Sequence, residues 1–308
     1  MTWPGTGQRR AAWAEPAGTR SMVEPLQLVL VGAPEAVGWG DPRRVECWRH
    51  LRYERPPSVE AAQKEHAALR AALTAAGATI VDLPGADDLS LDAVYTHDAS
   101  FVTDRGIIIL RMGKPARSGE PVRHAGVCRD AGIPILGEIH EPGTVEGGDL
   151  VWLDASTLLA GRGYRTNADG ITQLRSLLSL LGVEVIAAPL PHGSGPEGCT
   201  HLMSLMSMLD ESTILVDPAR IAVETMEILR ARRLNQIAID PSERDTLACN
   251  VLALGRRRLV AFEENRSTIA RLREAGFEVS AIPGKELGGN GGGGPTCLTR
   301  PLRRVAAS

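Results

Sequence analysis

Residues 150–187 read LVWLDASTLLAGRGYRTNADGITQLRSLLSLLGVEVIA and contain one complete structural unit. Two short apolar runs, 150–153 and 157–160, are separated by Asp-Ala-Ser, a composition typical of a tight turn between two strands. Apolar residues at helical spacing follow over 167–181, and a third apolar run covers 183–187. The stretch therefore predicts two strands, an amphipathic helix and a third strand, in the order ββαβ.

The same pattern recurs with a period of roughly 50 to 60 residues, which indicates five units of this kind. The predicted helices cover 58–76, 122–131, 167–181, 223–232 and 267–275. The predicted strands cover 26–31, 79–83, 100–102, 107–111, 133–136, 150–153, 157–160, 183–187, 205–208, 213–216, 236–239, 251–254, 259–262 and 278–282. One unit alone leaves a helix face and a sheet face uncovered, so five units around an axis would share a core. We therefore expect an α/β fold of five ββαβ units in a pseudo-fivefold arrangement around a central site; an open α/β sheet is the alternative.

Composition limits the class of protein. With 308 residues, of which 43% are hydrophobic, the chain is long enough to bury a sizeable core. We expect a single domain over residues 26–308 and, at 1–25, an N-terminal arm that is disordered or loosely attached. The arm has no apolar run of signal-peptide length, and no stretch has the run of about 18 apolar residues typical of a membrane helix.

Charge and cysteine usage exclude several other classes. The formal net charge of -3 gives no basic footprint for nucleic acid. The five cysteines, at positions 47, 128, 199, 249 and 297, are odd in number and lack Cys-x-x-Cys spacing. This argues against a disulfide framework and against a structural zinc site. We therefore expect a protein of the reducing cytoplasm, without a metal ion and without a nucleic-acid or membrane partner.

Cys297 is distinguished from the other cysteines by its surroundings. Residues 288–297 read GGNGGGGPTC, a glycine-rich run that ends at the thiol. Glycine lets the backbone approach a ligand closely, a setting in which a thiol can reach an electrophilic carbon. A flexible linker or tail is the alternative for this composition. The apolar Leu298 and Leu302 beyond it indicate a docked last strand, and the missing Lys-Ser/Thr pair argues against a phosphate-binding loop.

Polar residues suited to chemistry lie at the junctions between the predicted units. They are Asp92, Asp98, Glu146, Asp149, His201 and Cys297. Loops at the same end of repeated units converge, so we expect these residues to form one central site. A histidine beside an apolar run is also compatible with a structural role, and Gly-Gly-Asp with an ordinary turn.

The carboxylates around the thiol bear on the kind of substrate. Negative neighbours raise the pKa of a thiol unless a cation is bound beside it. A planar guanidinium held by carboxylates is such a cation. His201 would serve as acid or base for Cys297, and one carboxylate of the Glu146 and Asp149 pair would orient its ring. The residues favour a cysteine enzyme that acts on a guanidino compound.

Five motifs occur in order along the chain: Asp92-x5-Asp98, GTVEGGD at 143–149, Arg165-Thr166-Asn167, His201-Leu202 and GGPTC at 293–297. Together they resemble the motifs of the guanidino-modifying enzymes with the pentein, or α/β-propeller, fold. They are most similar to the motifs of dimethylarginine dimethylaminohydrolases, with arginine deiminases and amidinotransferases as relatives. The resemblance covers nearly the whole chain from residue 26.

The resemblance implies a role for each motif residue. Cys297 attacks the guanidinium carbon to form a covalent thiouronium, His201 protonates the departing amine and then activates water, and Glu146 holds the imidazole. The implied substrate-binding residues are Asp98 and Asp92 at the guanidinium and Arg165 and Arg117 at a carboxylate. We expect Asp149 and Met203 to contact the substrate as well. The resemblance implies no cofactor and no metal ion.

Position 203 departs from the arginine deiminase pattern. Those enzymes carry His-Leu-Asp where this chain has His201-Leu202-Met203. Methionine offers apolar volume there, which favours an N-alkylated guanidinium. The expected reaction is therefore C–N bond hydrolysis of methylated arginine to citrulline and an alkylamine. The alternatives are amidino transfer, arginine deimination and a non-catalytic binding scaffold. Residues 34–44 are a candidate lid over the substrate. A homodimer is possible as the oligomeric state.

Overall fold

The computed structural model describes residues 20–305, and within them the strands form five three-stranded sheets. In chain order the strands are β1 (Leu26–Val31), β2 (Thr79–Asp82), β3 (Ser100–Thr103), β4 (Gly106–Ile109), β5 (Ile135–Glu138), β6 (Leu150–Asp154), β7 (Thr157–Arg162), β8 (Glu184–Pro189), β9 (Met206–Met208), β10 (Thr213–Val216), β11 (Asn235–Ala238), β12 (Leu252–Gly255), β13 (Arg258–Phe262), β14 (Glu278–Ile282) and β15 (Arg300–Arg304). The five longer helices are α1 (Val59–Ala75), α2 (Glu120–Asp130), α3 (Ala168–Ser179), α4 (Val223–Ala231) and α5 (Arg266–Glu274). Two short helices, Pro42–Val45 and Trp48–Leu51, lie between β1 and α1.

Each sheet has the same internal order. Its first and second strands are antiparallel, and its third strand runs parallel to the second after the helix. In the unit quoted above, Leu150 pairs with Ala160, and Thr157 pairs with Glu184. A parallel partner requires a crossover connection, which α3 supplies. The predicted ββαβ unit is confirmed.

The first sheet closes the ring through the end of the chain. Its order is β15-β1-β2, and β15 is antiparallel to β1. The strand predicted at 26–31 was taken to begin the first unit, which is wrong, because β15 occupies the first position and β1 is the second strand. Local periodicity identifies a strand but not a partner at the other end of the chain.

The first strands of the five sheets surround a common axis. Residues of β3, β6, β9, β12 and β15 line one internal cavity of about 40 Å³. The pseudo-fivefold α/β-propeller is therefore confirmed, and the open-sheet alternative is wrong. The loops that precede these five inner strands meet at one end of the axis.

A single side chain explains where α3 begins and how it fixes one loop of the site. Asn167 caps α3, because its side-chain oxygen accepts hydrogen bonds from Gly170 N at 2.8 Å and from Thr144 N at 3.0 Å. The second bond holds the loop that leads to Glu146. On the apolar face of α3, Leu174 is fully buried in a cluster that includes residues of β6, β7 and β8, and burial of a leucine stabilises the fold by about 2 kcal/mol.

The N-terminal arm predicted at residues 1–25 lies mostly outside the described residues, which begin at Arg20. Arg20 Nε lies 2.7 Å from Asp104 Oδ1, and Met22 and Val23 pack against apolar clusters of the sheets. In the part of the chain that the structure describes, no helix is long and apolar enough to cross a membrane.

Candidate active site

Chemically distinctive side chains precede the inner strands and meet at one end of the axis. Asp98 lies before β3, Glu146 and Asp149 before β6, His201 before β9, and Cys297 before β15. The first four are buried, and Cys297 is partly exposed. The structure therefore brings together residues from four junctions of the sequence.

His201 is held between two carboxylates. Its Nε2 lies 2.8 Å from Glu146 Oε2, and its Nδ1 lies 3.8 Å from Asp98 Oδ1. Burial alone would lower the pKa of the imidazole, but the negative potential of Cys199, Asp98 and Asp149 outweighs burial and raises that pKa well above its ordinary value. The ring therefore carries a proton at neutral pH and can act as an acid.

Both oxygens of Glu146 are held in place. Oε1 accepts hydrogen bonds from the backbone N–H groups of Gly113 at 2.9 Å and Lys114 at 3.1 Å, while Oε2 faces His201. Arg165 Nη1 lies 3.3 Å from Oε2. Burial would raise the pKa of this carboxyl, but the hydrogen bond and charge of His201, with the charge of Arg165, lower it overall. An ionised Glu146 can orient the imidazole.

Asp98 approaches His201 across a glycine. The backbone N–H of Gly148 donates to Asp98 Oδ1 at 2.8 Å. A Cβ on Gly148 would overlap His201 Nδ1 and lie 3.0 Å from Asp98 Oδ1, so this position requires a residue without a side chain. Although burial opposes ionisation, the charges of His201 and Arg117 hold the pKa of Asp98 well below its usual range. Asp98 therefore supplies a fixed negative charge.

Arg117 supports Asp98, which differs from its implied role as a ligand of the substrate's carboxylate. Its Nη1 donates to Asp98 Oδ2 at 2.6 Å, and its Nε and Nη2 donate to the two Glu120 carboxylate oxygens at 2.7 Å. Nη2 also donates to the Tyr95 carbonyl oxygen at 2.7 Å. These protein groups occupy the planar fork of the guanidinium, so it has no free edge for a substrate carboxylate.

The other predicted substrate-binding residues lie in different settings. Asp92 Oδ2 is 2.5 Å from Lys114 Nζ. Asp149 accepts a hydrogen bond from Leu202 N at 3.0 Å, and burial raises its pKa to about 6. Met203 is buried in an apolar cluster with residues of β6, β7, β9 and β10, and it lines the axial cavity. Direct contact of Asp92, Asp149 and Met203 with a substrate stays a prediction.

Cys297 lies beside Asn250. Asn250 Nδ2 donates to Cys297 Sγ at 3.1 Å, and its Oδ1 accepts from Thr296 N at 3.0 Å. Burial and the charge of Asp98 raise the pKa of the Cys297 thiol to about 11, although the charge of His201 acts in the opposite direction. The free thiol is therefore protonated at neutral pH, which is the effect that the sequence analysis expected from nearby carboxylates.

The glycine run before Cys297 packs tightly against side chains. A Cβ on Gly291 or on Gly293 would overlap Tyr95, and a Cβ on Gly294 would overlap Asn250. Only glycine allows the backbone to pass this closely. The flexible-linker alternative is wrong for this segment, because its conformation is set by these contacts.

Three residues that the sequence analysis did not select contribute to the site. Asn250 occupies the fifth junction, about 50 residues after His201. The regular spacing between junctions was therefore the sequence signal that could have identified Asn250 as a site residue. The backbone N–H of His97 donates to the Cys297 carbonyl oxygen at 3.1 Å. Cys199 Sγ lies 3.6 Å from His201 Nδ1. Neither His97 nor Cys199 has a sequence pattern that indicates these contacts.

The candidate lid at residues 34–44 is anchored by Trp39. The indole Nε1 donates to the Leu91 carbonyl oxygen at 3.0 Å, and the ring meets Tyr53 edge-on with centroids 5.6 Å apart. Closure of this loop over a substrate stays a prediction.

Asp98, Glu146 and His201 have a spacing that a metal ion could bridge. One potential ligand atom from each lies within 4.8 Å of the others. Both carboxylates are paired with arginines, Arg117 and Arg165, and a protonated imidazole cannot ligate a metal. These charges favour a site for an organic cation.

Comparison with known proteins identifies the family. The arginine deiminase family model matches residues 85–245 and 233–304, which is more than half of the chain. The chain belongs to the arginine deiminase family. Its fold is accordingly that of the pentein superfamily of guanidino-modifying enzymes.

Relatives of this arginine deiminase family member include enzymes with different reactions. The N(G),N(G)-dimethylarginine dimethylaminohydrolase of Streptomyces coelicolor is 34% identical over 148 residues, which are 47% of this chain and 52% of that protein. The structure of dimethylarginine dimethylaminohydrolase from Pseudomonas aeruginosa with citrulline has a TM-score of 0.73 at 22% identity, over 90% of this chain and 100% of that one. SxtG, an amidinotransferase from Microseira wollei, has a TM-score of 0.76 at 18% identity, over 95% and 98%. The two structural similarities show the shared fold.

Proposed function

We propose that the protein is a cysteine-dependent hydrolase that converts a methylated arginine to citrulline and an alkylamine. The observation that carries this proposal is the placement of Cys297 near a protonated His201 whose ring is held by Glu146. A nucleophile, an acid and a group that orients the acid are the parts needed for attack on a guanidinium carbon. The family match and the dimethylarginine dimethylaminohydrolase relative support the substrate class.

Substrate binding would itself activate the nucleophile. The ionised Asp98 favours a bound cation and disfavours a free thiolate at Cys297. A guanidinium bound between Asp98 and Cys297 reverses the sign of the potential at Cys297 Sγ. The thiol therefore loses its proton to solvent when substrate binds. The thiolate would then form beside the carbon that it attacks.

The reaction follows from this arrangement in two steps. The Cys297 thiolate adds to the guanidinium carbon, and His201 donates its proton to the amine as the C–N bond breaks, leaving a covalent S-alkylthiouronium. The neutral imidazole then takes a proton from water, the resulting hydroxide adds to the same carbon, and the C–S bond breaks. The ureido product gives up the proton of its new hydroxyl group to solvent as it leaves, and the thiolate and the protonated imidazole are restored.

Arg165 is the candidate for binding the α-carboxylate of the substrate. Its contact with Glu146 is long, 3.3 Å, and a planar guanidinium can bind a carboxylate at its other edge. Arg165→Ala should raise KM for a substrate with an α-carboxylate by roughly 30- to 1,000-fold, corresponding to about 2 to 4 kcal/mol. KM for the decarboxylated analogue should change little, and equal losses for both substrates would contradict this role.

The free thiols support a reducing compartment. All five cysteines of the chain are free, and Cys297 must stay reduced to act as a nucleophile. We place the enzyme in the cytoplasm for this reason.

A screen of guanidino compounds for ureido product tests the proposed reaction. The native protein and a matched Cys47→Ser variant, changed at an exposed cysteine outside the site, should form product from methylated arginine, whereas Cys297→Ser should lose several orders of magnitude in kcat. Intact mass spectrometry of the quenched reaction should detect the thiouronium adduct. Turnover by Cys297→Ser above about a tenth of the native kcat would refute the nucleophile.

The same assay separates hydrolysis from amidino transfer. Both reactions share the first step, so an acceptor amine is added in a second arm. Product that forms only with the acceptor would replace the hydrolase by an amidinotransferase, the activity of the structurally similar SxtG. Higher kcat/KM for unsubstituted arginine would identify a deiminase.

A further inference from the structure

Glu120 is a buried carboxylate to which the proposed reaction assigns no role. It begins α2 and is 1% exposed. Its Oε1 and Oε2 accept hydrogen bonds from Arg117 Nε and Arg117 Nη2, both at 2.7 Å. Paired hydrogen bonds between a guanidinium and a carboxylate are strong and fix the geometry of both groups. Glu120 therefore holds Arg117 in one orientation.

A role confined to the start of α2 does not explain this arrangement. A carboxylate in the first turn of a helix stabilises the helix through its dipole. Both oxygens of Glu120, however, bind the side chain of Arg117, and Arg117 in turn donates to Asp98 Oδ2 at 2.6 Å. Glu120 is thus connected to the site through a single side chain.

Six buried groups of alternating charge extend from Glu120 across the site. In order, they are Glu120, Arg117, Asp98, His201, Glu146 and Arg165. Successive members approach one another at 2.7, 2.6, 3.8, 2.8 and 3.3 Å. Because His201 carries a proton, three positive charges balance three negative charges. Loss of the charge of Glu120 would leave one excess positive charge, at the Arg117 end of the chain.

Two further charges act on this chain from outside. The negative charge of Asp149 acts on His201, and the positive charge of Arg300 interacts with Asp98. Since these two charges have opposite signs, they do not replace the charge of Glu120. Glu120 is therefore the carboxylate that compensates Arg117, in addition to Asp98.

We propose that Glu120 is a positioning residue for substrate binding: by compensating Arg117, it leaves the charge of Asp98 available to a guanidinium cation. The inference rests on the proposed function, because it takes the guanidinium of the substrate to lie at Asp98. Without Glu120, the charge of Arg117 would cancel that of Asp98, and a cation would bind more weakly. A neutral ligand of the same shape would be affected little, which distinguishes this role from a structural one.

The charge of Glu120 depends on pH. Burial raises the pKa of its carboxyl to about 7; the charge and hydrogen bonds of Arg117 lower it, and the charges of Asp92 and Asp98 raise it further. Asp92 is itself paired with Lys114. The carboxyl loses its proton as pH rises through about 7, so binding is best measured at about pH 8.5, where Glu120 is ionised.

The test compares a cationic ligand with a neutral one. Methylated arginine and citrulline share the α-amino and α-carboxylate groups but differ in the charge of the group at the far end. Their dissociation constants are measured by calorimetry in the Cys297→Ser background, where no turnover occurs. Adding Glu120→Gln should weaken the binding of methylated arginine about tenfold or more, the scale of one buried unit charge, and should change the binding of citrulline little.

Two further variants separate the charge of Glu120 from its shape. Glu120→Gln combined with Arg117→Gln removes one charge of each sign, so it should restore most of the preference for methylated arginine. Glu243→Gln is the matched control, because Glu243 is also buried and its two oxygens accept from Ser267 N and Thr268 N at the start of α5. It should keep the native affinities for both ligands.

Each outcome decides the inference. Equal losses for both ligands in Glu120→Gln, or an unchanged affinity for methylated arginine, overturn it. A double variant as weak as Glu120→Gln also overturns it, because the charge balance would then not be the cause. With turnover of methylated arginine by the native enzyme, these results refute this inference alone. A site that binds neither ligand refutes the proposed function as well.

If Glu120→Gln does not fold, the pH dependence of binding gives the answer. With Glu120 present, the preference for methylated arginine over citrulline should increase several-fold between about pH 6.5 and pH 8.5, as the carboxyl ionises. The double variant keeps Asp149, whose pKa is about 6, and therefore supplies the baseline for other titrations. A preference that changes equally in both proteins overturns the inference.

Discussion

The Cys297 thiol should be almost fully protonated in the free protein, and its reaction with an alkylating reagent measures this directly. Burial and the charge of Asp98 raise its pKa from 9.0 to about 11. At pH 7.5, roughly one molecule in 3,000 would then carry the thiolate, against roughly one in 30 for a thiol with the ordinary value. Only the thiolate reacts, so alkylation should be about a hundredfold slower than for an ordinary thiol.

The assay is alkylation by iodoacetamide across the alkaline range, with the Cys297 peptide quantified by mass spectrometry and the exposed Cys47 as the internal reference. A raised pKa means that the proton is held more tightly, so reactivity is gained as pH rises. The rate should increase about tenfold for each pH unit and level off only near the pKa. Asp98→Asn removes one cause of the raised pKa, so its curve should lie at lower pH.

A bound guanidinium should lower the pKa of the Cys297 thiol, whereas Asp98 raises it. The thiolate content is read as the difference in ultraviolet absorbance between the native protein and Cys297→Ser, with and without a non-reactive guanidino ligand. The ligand should increase the thiolate signal at neutral pH. The reasoning is refuted if the alkylation rate of the free protein levels off below about pH 9, or if Asp98→Asn leaves the curve unchanged.

Three further changes test other contacts of the site. His201→Gln should allow the thiouronium to form but not to hydrolyse, so intact mass spectrometry should detect covalent enzyme; if none accumulates under any quenching condition, His201 acts earlier. Asn250→Asp keeps an oxygen that accepts from Thr296 N but replaces the amide that donates to Cys297 by a carboxylate. Alkylation of Cys297 should therefore slow about tenfold at a fixed pH. An unchanged rate would mean that the amide does not contact the sulfur. Gly148→Ala should displace the imidazole and lower kcat about a hundredfold, with an unchanged circular dichroism spectrum. Gly126→Ala is the control and should keep the native kcat, because a Cβ at position 126 would meet nothing within 4 Å. Equal kcat values for the two variants would contradict the need for glycine at 148.

The repeating unit could be predicted because the information that specifies it is local. Ser58 caps α1 by accepting from Ala61 N, and Asn167 caps α3 in the same way, so the start of these two helices follows from one side chain each. The closure of the ring is different. Leu26 pairs with Arg304, and no local pattern indicates a partner at the other end of the chain.

Many members of the candidate site could also be predicted, but Asn250, His97 and Cys199 were missed and the partners of Arg117 were not foreseen. Glu146 and His201 were expected to act together, and their side chains are 2.8 Å apart. Arg117 was interpreted as a substrate ligand, yet it holds Asp98 and Glu120. The motif around a charged residue reads the same whether its side chain faces the substrate or a neighbouring carboxylate. Only the three-dimensional arrangement separates the two.

The pseudo-fivefold fold explains why reactive residues occur at a constant spacing and yet differ in chemistry. Each inner strand is preceded by a loop at the same end of the axis, so the junction residues Asp98, Asp149, His201, Asn250 and Cys297 converge whatever their identity. The charge of each junction residue then decides its chemical role. Because arginines compensate Asp98 and Glu146, these two carboxylates hold a fixed negative charge beside the imidazole and the thiol. A substitution at one junction can therefore alter the chemistry while the ring of sheets, which is stabilised by apolar packing elsewhere, is preserved.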